Sequence, residues 1–279
     1  MTLKKVEELE GTEIAAVDVC SNSNLIIIPK GAKLKKEYVS GLMNLEILSI
    51  FVEENTEMLN RMDPETDGRV IPLEVIDYYI RFLQKIIGER ETKADWDPIS
   101  KIDLLVEKMI HYCKIHTDQK IQIDTKREAE VLEHTVYVTL IVLQISIQLG
   151  IPMISLYQIV AACLLHDLEV PLEQKQYQKH PIMMYEEVLK NNWFSRGAAE
   201  MILYHHEVRD GSGFPYKKKK LPLEYEMLQV ADFFDRSICG METEKLSLQE
   251  TKDLLQKHIG TWYDKKVVTI LFERIAYED

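Results

Sequence analysis

The sequence predicts a mainly α protein that carries a small α+β module at its N-terminus. Three observations predict it. From about residue 121, apolar positions recur at three- and four-residue spacing almost to the C-terminus. Residues 13–54 instead alternate short β-branched runs with turns. Finally, 46% apolar and 29% charged positions in 279 residues is ordinary globular composition, with enough chain for one large core or two unequal ones.

In chain order, residues 1–56 form the β-rich module, with IAAVDV, NLIIIPKG and LSIFVEE as strand candidates and a short helix around KEYVSGLMNL. The polar, turn-forming stretch NTEMLNRMDPETDG follows. Residues 57–120 are read as a helical linker region, because VIDYYIRFLQKII and IDLLVEKMIHYCKI have helical apolar spacing among many charges. Residues 121–279 are the main helical domain, interrupted by the glycine turn and lysines of 211–220. Between Thr135 and Leu165 no residue is charged, which is long enough for a membrane span. Gly150-Ile151-Pro152 breaks that run, and Gln144, Gln148 and Gln158 interrupt it, so two buried helices are expected and no membrane.

A formal charge of −12 argues against DNA, RNA or an anionic membrane surface as partner. A small anionic substrate would then need a local positive source. Cys20, Cys113, Cys163 and Cys239 show no C-x-x-C spacing, and MTLKKVEELEGTE lacks the apolar core of a signal peptide, so a reducing cytoplasm is expected.

Several polar residues sit where helical apolar stripes demand apolar ones. Leu156, Ile159, Val160, Cys163 and Leu164 lead to Asp167, whose neighbour is His166. Val131, Val138, Ile141, Val142, Ile145 and Leu149 share a stripe with His134, and Glu130 precedes His134 by one turn. Met201 and Ile202 lead to His205 and His206, while Tyr225 and Leu228 lead to Asp232. His180 precedes Pro181 at a helix start, which biases the imidazole toward its neutral, ligating form. One such residue alone is compatible with a satisfied core histidine or a cap. Five of the chain's eight histidines and two aspartates together point to metal binding, since unpaired burial of the acids would cost several kcal/mol. No arginine stands among these positions, so the acids are expected to find a metal cation instead. His111, His116 and His258 are left as ordinary residues.

Imidazole and carboxylate without thiolate suit iron, manganese or zinc, and the set is too large for one tetrahedral ion. Two or three divalent ions are expected, iron or manganese first, with zinc, nickel and magnesium as alternatives. Paired ions about 3.5–4 Å apart can hold a hydroxide nucleophile and neutralise a phosphoryl oxygen, which suits phosphodiester hydrolysis.

In order, His134, HD at 166–167, HP at 180–181, HHEVRDGSGFP at 205–215 and VADFFD at 230–235 resemble the HD-GYP subgroup of the HD phosphohydrolases. The resemblance covers roughly residues 125–279, including GTWYDKKVV, and DVCSNSNLIIIPKGAKL resembles a small β module that often precedes such domains. It implies an all-helical HD-type bundle whose bi- or trinuclear centre hydrolyses cyclic di-GMP to linear pGpG or GMP through a metal-bridging hydroxide positioned by Asp167. It further implies His134, His166, Asp167, His180, His205, His206 and Asp232 as ligands, with Asp167 bridging and Glu130 matching the extra glutamate of trinuclear members. Asp210, Gly211, Gly213 and Lys217 fall at the substrate rim.

Three features depart from the pattern. HDxGK reads HDLEV, placing Glu169 and Val170 where glycine and a phosphate-contacting lysine are usual; GYP reads GFP at Phe214; and residues 236–247 replace a stretch that carries substrate contacts. Lys217 to Lys220 offer positive charge beside the lost cation, although a solvated loop is the commoner use of such a run. These departures leave two alternatives open: a weakly active or inactive metal-bearing module that binds a nucleotide or a partner such as a diguanylate cyclase, and a hydrolase of another cyclic dinucleotide or nucleotide. Homodimerisation is a further expectation, through the small module.

Overall fold

A computed structural model describes the chain apart from residues 1, 10, 12, 17–18, 21–25, 30, 46, 48, 54–68, 90–97, 169–173, 242–243 and 278–279. Two compact units divide it, residues 1–66 and 67–279.

In the first unit, β1 (Thr2–Lys5) and β2 (Ile14–Ala15) flank β5 (Ser49–Glu53) in an antiparallel sheet, with Leu3 opposite Phe51 and Ala15 opposite Val52. A separate ribbon pairs β3 (Val19–Cys20) with β4 (Ile26–Ile28), and α1 spans Tyr38–Asn44. Val6, Leu9, Ala15, Val19, Ile28, Leu34, Leu42, Ile50 and Val52 form its core. These elements match the expected β-rich module, with β1 added; TLKK shows no strand-like alternation and pairs only because β5 offers it an edge.

The second unit is a helical bundle built around α4 (Val131–Gln148). Two earlier helices, α2 (Leu73–Gly88) and α3 (Ile99–Ile115), pack on α4, as do α5 (Met153–Leu165), α8 (Leu223–Cys239) and α10 (Lys265–Arg274). Every residue from His134 to Ser146 is therefore buried, which explains the missing charges: a helix surrounded by helices has no polar face. Val131–Gln148 is long and apolar enough to cross a membrane, but that apolar surface is spent on the bundle interior. Thr135 and Thr139 satisfy their hydroxyls on the carbonyls of Val131 and Thr135, one turn back.

The remaining helices are α6 (His180–Lys190), α7 (Arg196–Leu203) and α9 (Leu248–Lys257); α6 packs on α7, α7 on α5, and α9 on α8. β6 (Ile121–Gln122) runs parallel to β7 (Ile275–Ala276), and Val70 bridges Lys120 beside it. Residues 67–120, most of the stretch 57–120 read from sequence as a helical linker region, share a compact unit with the main helical domain. Buried Tyr79, Leu83, Leu105 and Met109 show why: their apolar faces need the bundle to cover them.

Candidate metal centre

Helix ends and turns deliver the polar residues to one buried place. α5 stops at Leu165, so His166 and Asp167 lie in the turn after it; His180 opens α6; His205 and His206 follow α7; His134 and Asp232 lie within α4 and α8. Two groups of donors result. His134, His166, Asp167 and Asp232 form one, and Asp167, His180, His205 and His206 form the other, with the donor atoms of each group within 4.8 Å of one another. Asp167 belongs to both. Its Oδ2 lies 3.5 Å from His134 Nε2 and 3.6 Å from His166 Nε2, while its Oδ1 lies 3.2 Å from His180 Nε2 and 3.5 Å from His205 Nε2.

The ring nitrogens show what the second group can hold. His180 Nδ1 donates to the carbonyl of Tyr177 at 2.6 Å, and His205 Nδ1 donates to that of Ile202 at 2.5 Å. In the neutral tautomer this leaves Nε2 of each ring as a lone pair, and the two Nε2 atoms face each other at 3.1 Å beside Asp167 Oδ1. Burial holds His205 in that neutral form, lowering its pKa to about 4 against a weaker upward pull from Asp167. His206 is likewise lowered, by burial first and then by His205. Three acceptors aimed at one another repel unless a cation sits among them, and Asp167 Oδ1 is buried without a hydrogen-bond partner among the described residues. The residues fit a divalent ion.

The first group is more heavily braced. His166 Nδ1 donates to the Cys163 carbonyl at 2.7 Å, leaving its buried Nε2 without a hydrogen-bond partner among the described residues. His134 Nδ1 donates to Asp235 Oδ2 at 2.8 Å, and Asp235 accepts in turn from the buried guanidinium of Arg127. A carboxylate behind a ligating histidine fixes its tautomer and raises its basicity. Burial opposes a charge on His134, yet hydrogen bonds to Asp167, Asp232 and Asp235 raise its pKa well above the ordinary histidine value.

An arginine does stand among the acids, contrary to the reading of the sequence. Arg236 Nε donates to Asp232 Oδ1 at 2.7 Å, and its Nη2 donates to Asp167 Oδ2. The physical reason is helical: Arg236 lies one turn beyond Asp232 on α8, so the two share a face. Burial would push both carboxyls up, but Arg236, with the surrounding histidines, holds them well below the usual carboxylate range.

Glu130 is not in either group. Exposed, it caps α4, its Oε2 accepting from the Glu133 amide at 2.6 Å.

At the rim, Gly213 sits where any Cβ would meet the His206 carbonyl at 2.3 Å and Glu207 Cα at 2.6 Å. Fully buried Glu207 accepts from the amides of Tyr216 and Lys218 at 2.6 and 2.9 Å, strapping the turn to the paired histidines. Gly211 has a φ of +80°, which suits glycine, and Lys217 is exposed. Asp210 accepts from Ser212 and from Trp262 Nε1, while Arg209 bridges Glu226 and Asp264, so GTWYD latches this segment in place. Phe214 stacks obliquely on His206, with ring centroids 4.5 Å apart. Beside it Tyr177 brings its hydroxyl to 3.0 Å from His206 Nε2. Glu169 and Val170 lie outside the described residues.

Sequence reasoning passed over Tyr177, Asp235, Arg127 and Arg236. Asp235 and Arg236 had one available signal, their i+3 and i+4 spacing from Asp232. Tyr177 had none, because it lies in a 3₁₀ turn (Gln174–Lys179) where helical periodicity says nothing.

Residues 158–267 match the HD domain family. A 74-residue stretch is 34% identical to a probable cyclic di-GMP phosphodiesterase of Vibrio cholerae serotype O1; it covers 25% of this chain and 17% of that protein. In fold, the chain is similar to Bd1817, a HDG"Y"P protein from Bdellovibrio bacteriovorus, with a TM-score of 0.59 and 15% identity over 98% of both chains. The matched residues are similar to an HD domain, a class that implies divalent metal binding and phosphohydrolase chemistry. Together these likenesses support the HD-GYP family, with phenylalanine at the middle position of the GYP motif in this chain.

Proposed function

We propose that the helical unit is a metal-dependent phosphodiesterase that hydrolyses cyclic di-GMP to linear pGpG or GMP. The observation that carries it is the sharing of Asp167 by two donor groups, with one carboxylate oxygen turned to each. His134, His166, Asp167 and Asp232 would hold one ion and Asp167, His180, His205 and His206 the other, iron or manganese suiting this oxygen and nitrogen set. Bound there, the ions supply water activation and neutralisation of phosphoryl charge. The chain's own part is orientation: Nδ1 bonds to carbonyls and Asp235 keep Nε2 of four imidazoles directed inward, and deep burial excludes competing water. The 34% identity to a probable cyclic di-GMP phosphodiesterase supports the substrate class, over a stretch that spans only 17% of that relative.

The test is anaerobic purification with manganese or ferrous iron, elemental analysis, and chromatography of a cyclic di-GMP digest. Linear product with metal bound is expected. A fully metal-loaded protein that forms no product would overturn the reading. It would favour the alternative, a metal-bearing nucleotide receptor, which Phe214 on His206 and Arg236 on both carboxylates also support.

A further inference from the structure

The two donor groups are unequal in one respect. The carboxylate oxygens that face the inward Nε2 atoms of His134 and His166 are both bonded to Arg236: Asp167 Oδ2 through Nη2 and Asp232 Oδ1 through Nε at 2.7 Å. The carboxylate oxygen facing His180 and His205 is Asp167 Oδ1, which has no hydrogen-bond partner among the described residues. Arg236 is itself buried, 7% exposed, and its guanidinium lies 5.4 Å from the Tyr177 ring, a cation–π position that keeps it over the centre.

We infer that Arg236 is a resident cation that competes with a metal ion for Asp167 Oδ2 and Asp232 Oδ1, so that the two metal positions of this chain differ in affinity. An ion among His180, His205, His206 and Asp167 Oδ1 meets the Nε2 lone pairs of His180 and His205 and a carboxylate oxygen that Arg236 does not hold. An ion among His134, His166, Asp167 Oδ2 and Asp232 must displace or share two charge-assisted hydrogen bonds, the strong kind, and must lie close to a fixed positive charge that cannot be deprotonated. The first position therefore fills at lower metal concentration, and the second is weakened by Arg236. This inference rests on the metal-centre reading of the site.

The experiment is a manganese titration of chelator-treated full-length protein, followed by calorimetry, with elemental analysis after desalting. The wild-type chain should bind in two unequal steps. In Arg236→Gln, which removes the charge at similar length, the weaker step should tighten by ~10-fold or more while the tighter step stays in place. Arg236→Lys keeps the charge but loses the two-pronged geometry, so it should tighten the weaker step less; it also serves if Arg236→Gln does not give a cooperative thermal melt. Two equal steps in the wild type, or a weaker step that Arg236→Gln and Arg236→Lys leave unchanged or weaken further, would overturn the inference alone. No manganese binding by any of the three proteins would instead overturn the metal-centre reading beneath it.

Discussion

The floor of the site and its rim are built on different principles. On the floor, seven ligand-type side chains come from α4, α8 and three helix ends or starts, and each imidazole but His206 has its Nδ1 fixed by a carbonyl or by Asp235. At the rim, one segment, residues 207–220, carries the candidate substrate contacts and is held chiefly by Glu207, the close approach at Gly213 and the latch to Trp262 and Asp264. The contrast teaches that the candidate metal ligands and the candidate substrate contacts are separate residues held by separate interactions. One can therefore be altered without the other, and each prediction below tests that separation.

The largest effect is expected from Asp167→Asn. It removes the one charge that both donor groups share while keeping the side chain's volume, so metal affinity should fall by more than ~100-fold at both positions and turnover should be lost. Elemental analysis and far-ultraviolet circular dichroism check it. Near-wild-type metal content with intact helicity would show that Asp167 does not bridge.

Acidification should come next, acting on the floor alone. His205 titrates at about 4 in the folded chain against an ordinary 6.5, because burial disfavours its charge. The unfolded chain thus takes up this proton first, and stability falls as pH drops from 6.5 toward 4, by about 3 kcal/mol when complete. His206, lowered by burial and His205, acts in the same direction, and Asp167 and Asp232, held low chiefly by Arg236, add their loss below the ordinary carboxylate range. His134 works oppositely: its raised pKa contributes stability below 6.5 that is lost as pH rises through the folded value. Thermal melts of chelator-treated protein at pH 7 and pH 5 should show the acid-side loss, and His205→Gln should flatten it.

Glu207→Gln tests the rim. It weakens two charge-assisted bonds to the Tyr216 and Lys218 amides in a buried place, at a cost of about 1–3 kcal/mol to the turn. KM should rise while manganese content stays at the wild-type level. A loss of metal equal to the loss of activity would show that rim and floor are one structure.

The floor was legible in the sequence because helices repeat: a histidine or aspartate in an apolar stripe is conspicuous, and all seven such residues converge. Glu130, expected as a ligand from the family resemblance, lies in neither donor group; its position one turn before His134 is that of an N-cap, and there it is exposed. Arg236 was hidden because an Asp-to-Arg i,i+4 pair reads as a surface salt bridge; only the fold shows that this face of α8 is buried against Asp167. The fold of the helical unit followed from periodicity, but its inclusion of residues 67–120 did not, since charge density on α2 and α3 says nothing about what covers their apolar faces. Strand β1 escaped for a related reason, as its pairing depends on β5, about 45 residues away, rather than on any local pattern.

Phe214→Tyr should have the smallest effect and separates rim from floor most finely. The Phe214 ring already packs at 4.5 Å from His206 and 5.8 Å from Tyr177, so a phenol there adds one hydroxyl without new volume in the metal groups. Tyr177 already sets a hydroxyl 3.0 Å from His206 Nε2, which makes the added one partly redundant. A single neutral hydrogen bond contributes about 1 kcal/mol, so kcat/KM should change by no more than ~5-fold, with metal content unchanged. Steady-state kinetics beside elemental analysis checks it. A change of ~100-fold at constant metal content would mean that the hydroxyl acts on the reacting atoms, and Phe214 would then mark the position at which this chain lost or exchanged a catalytic group.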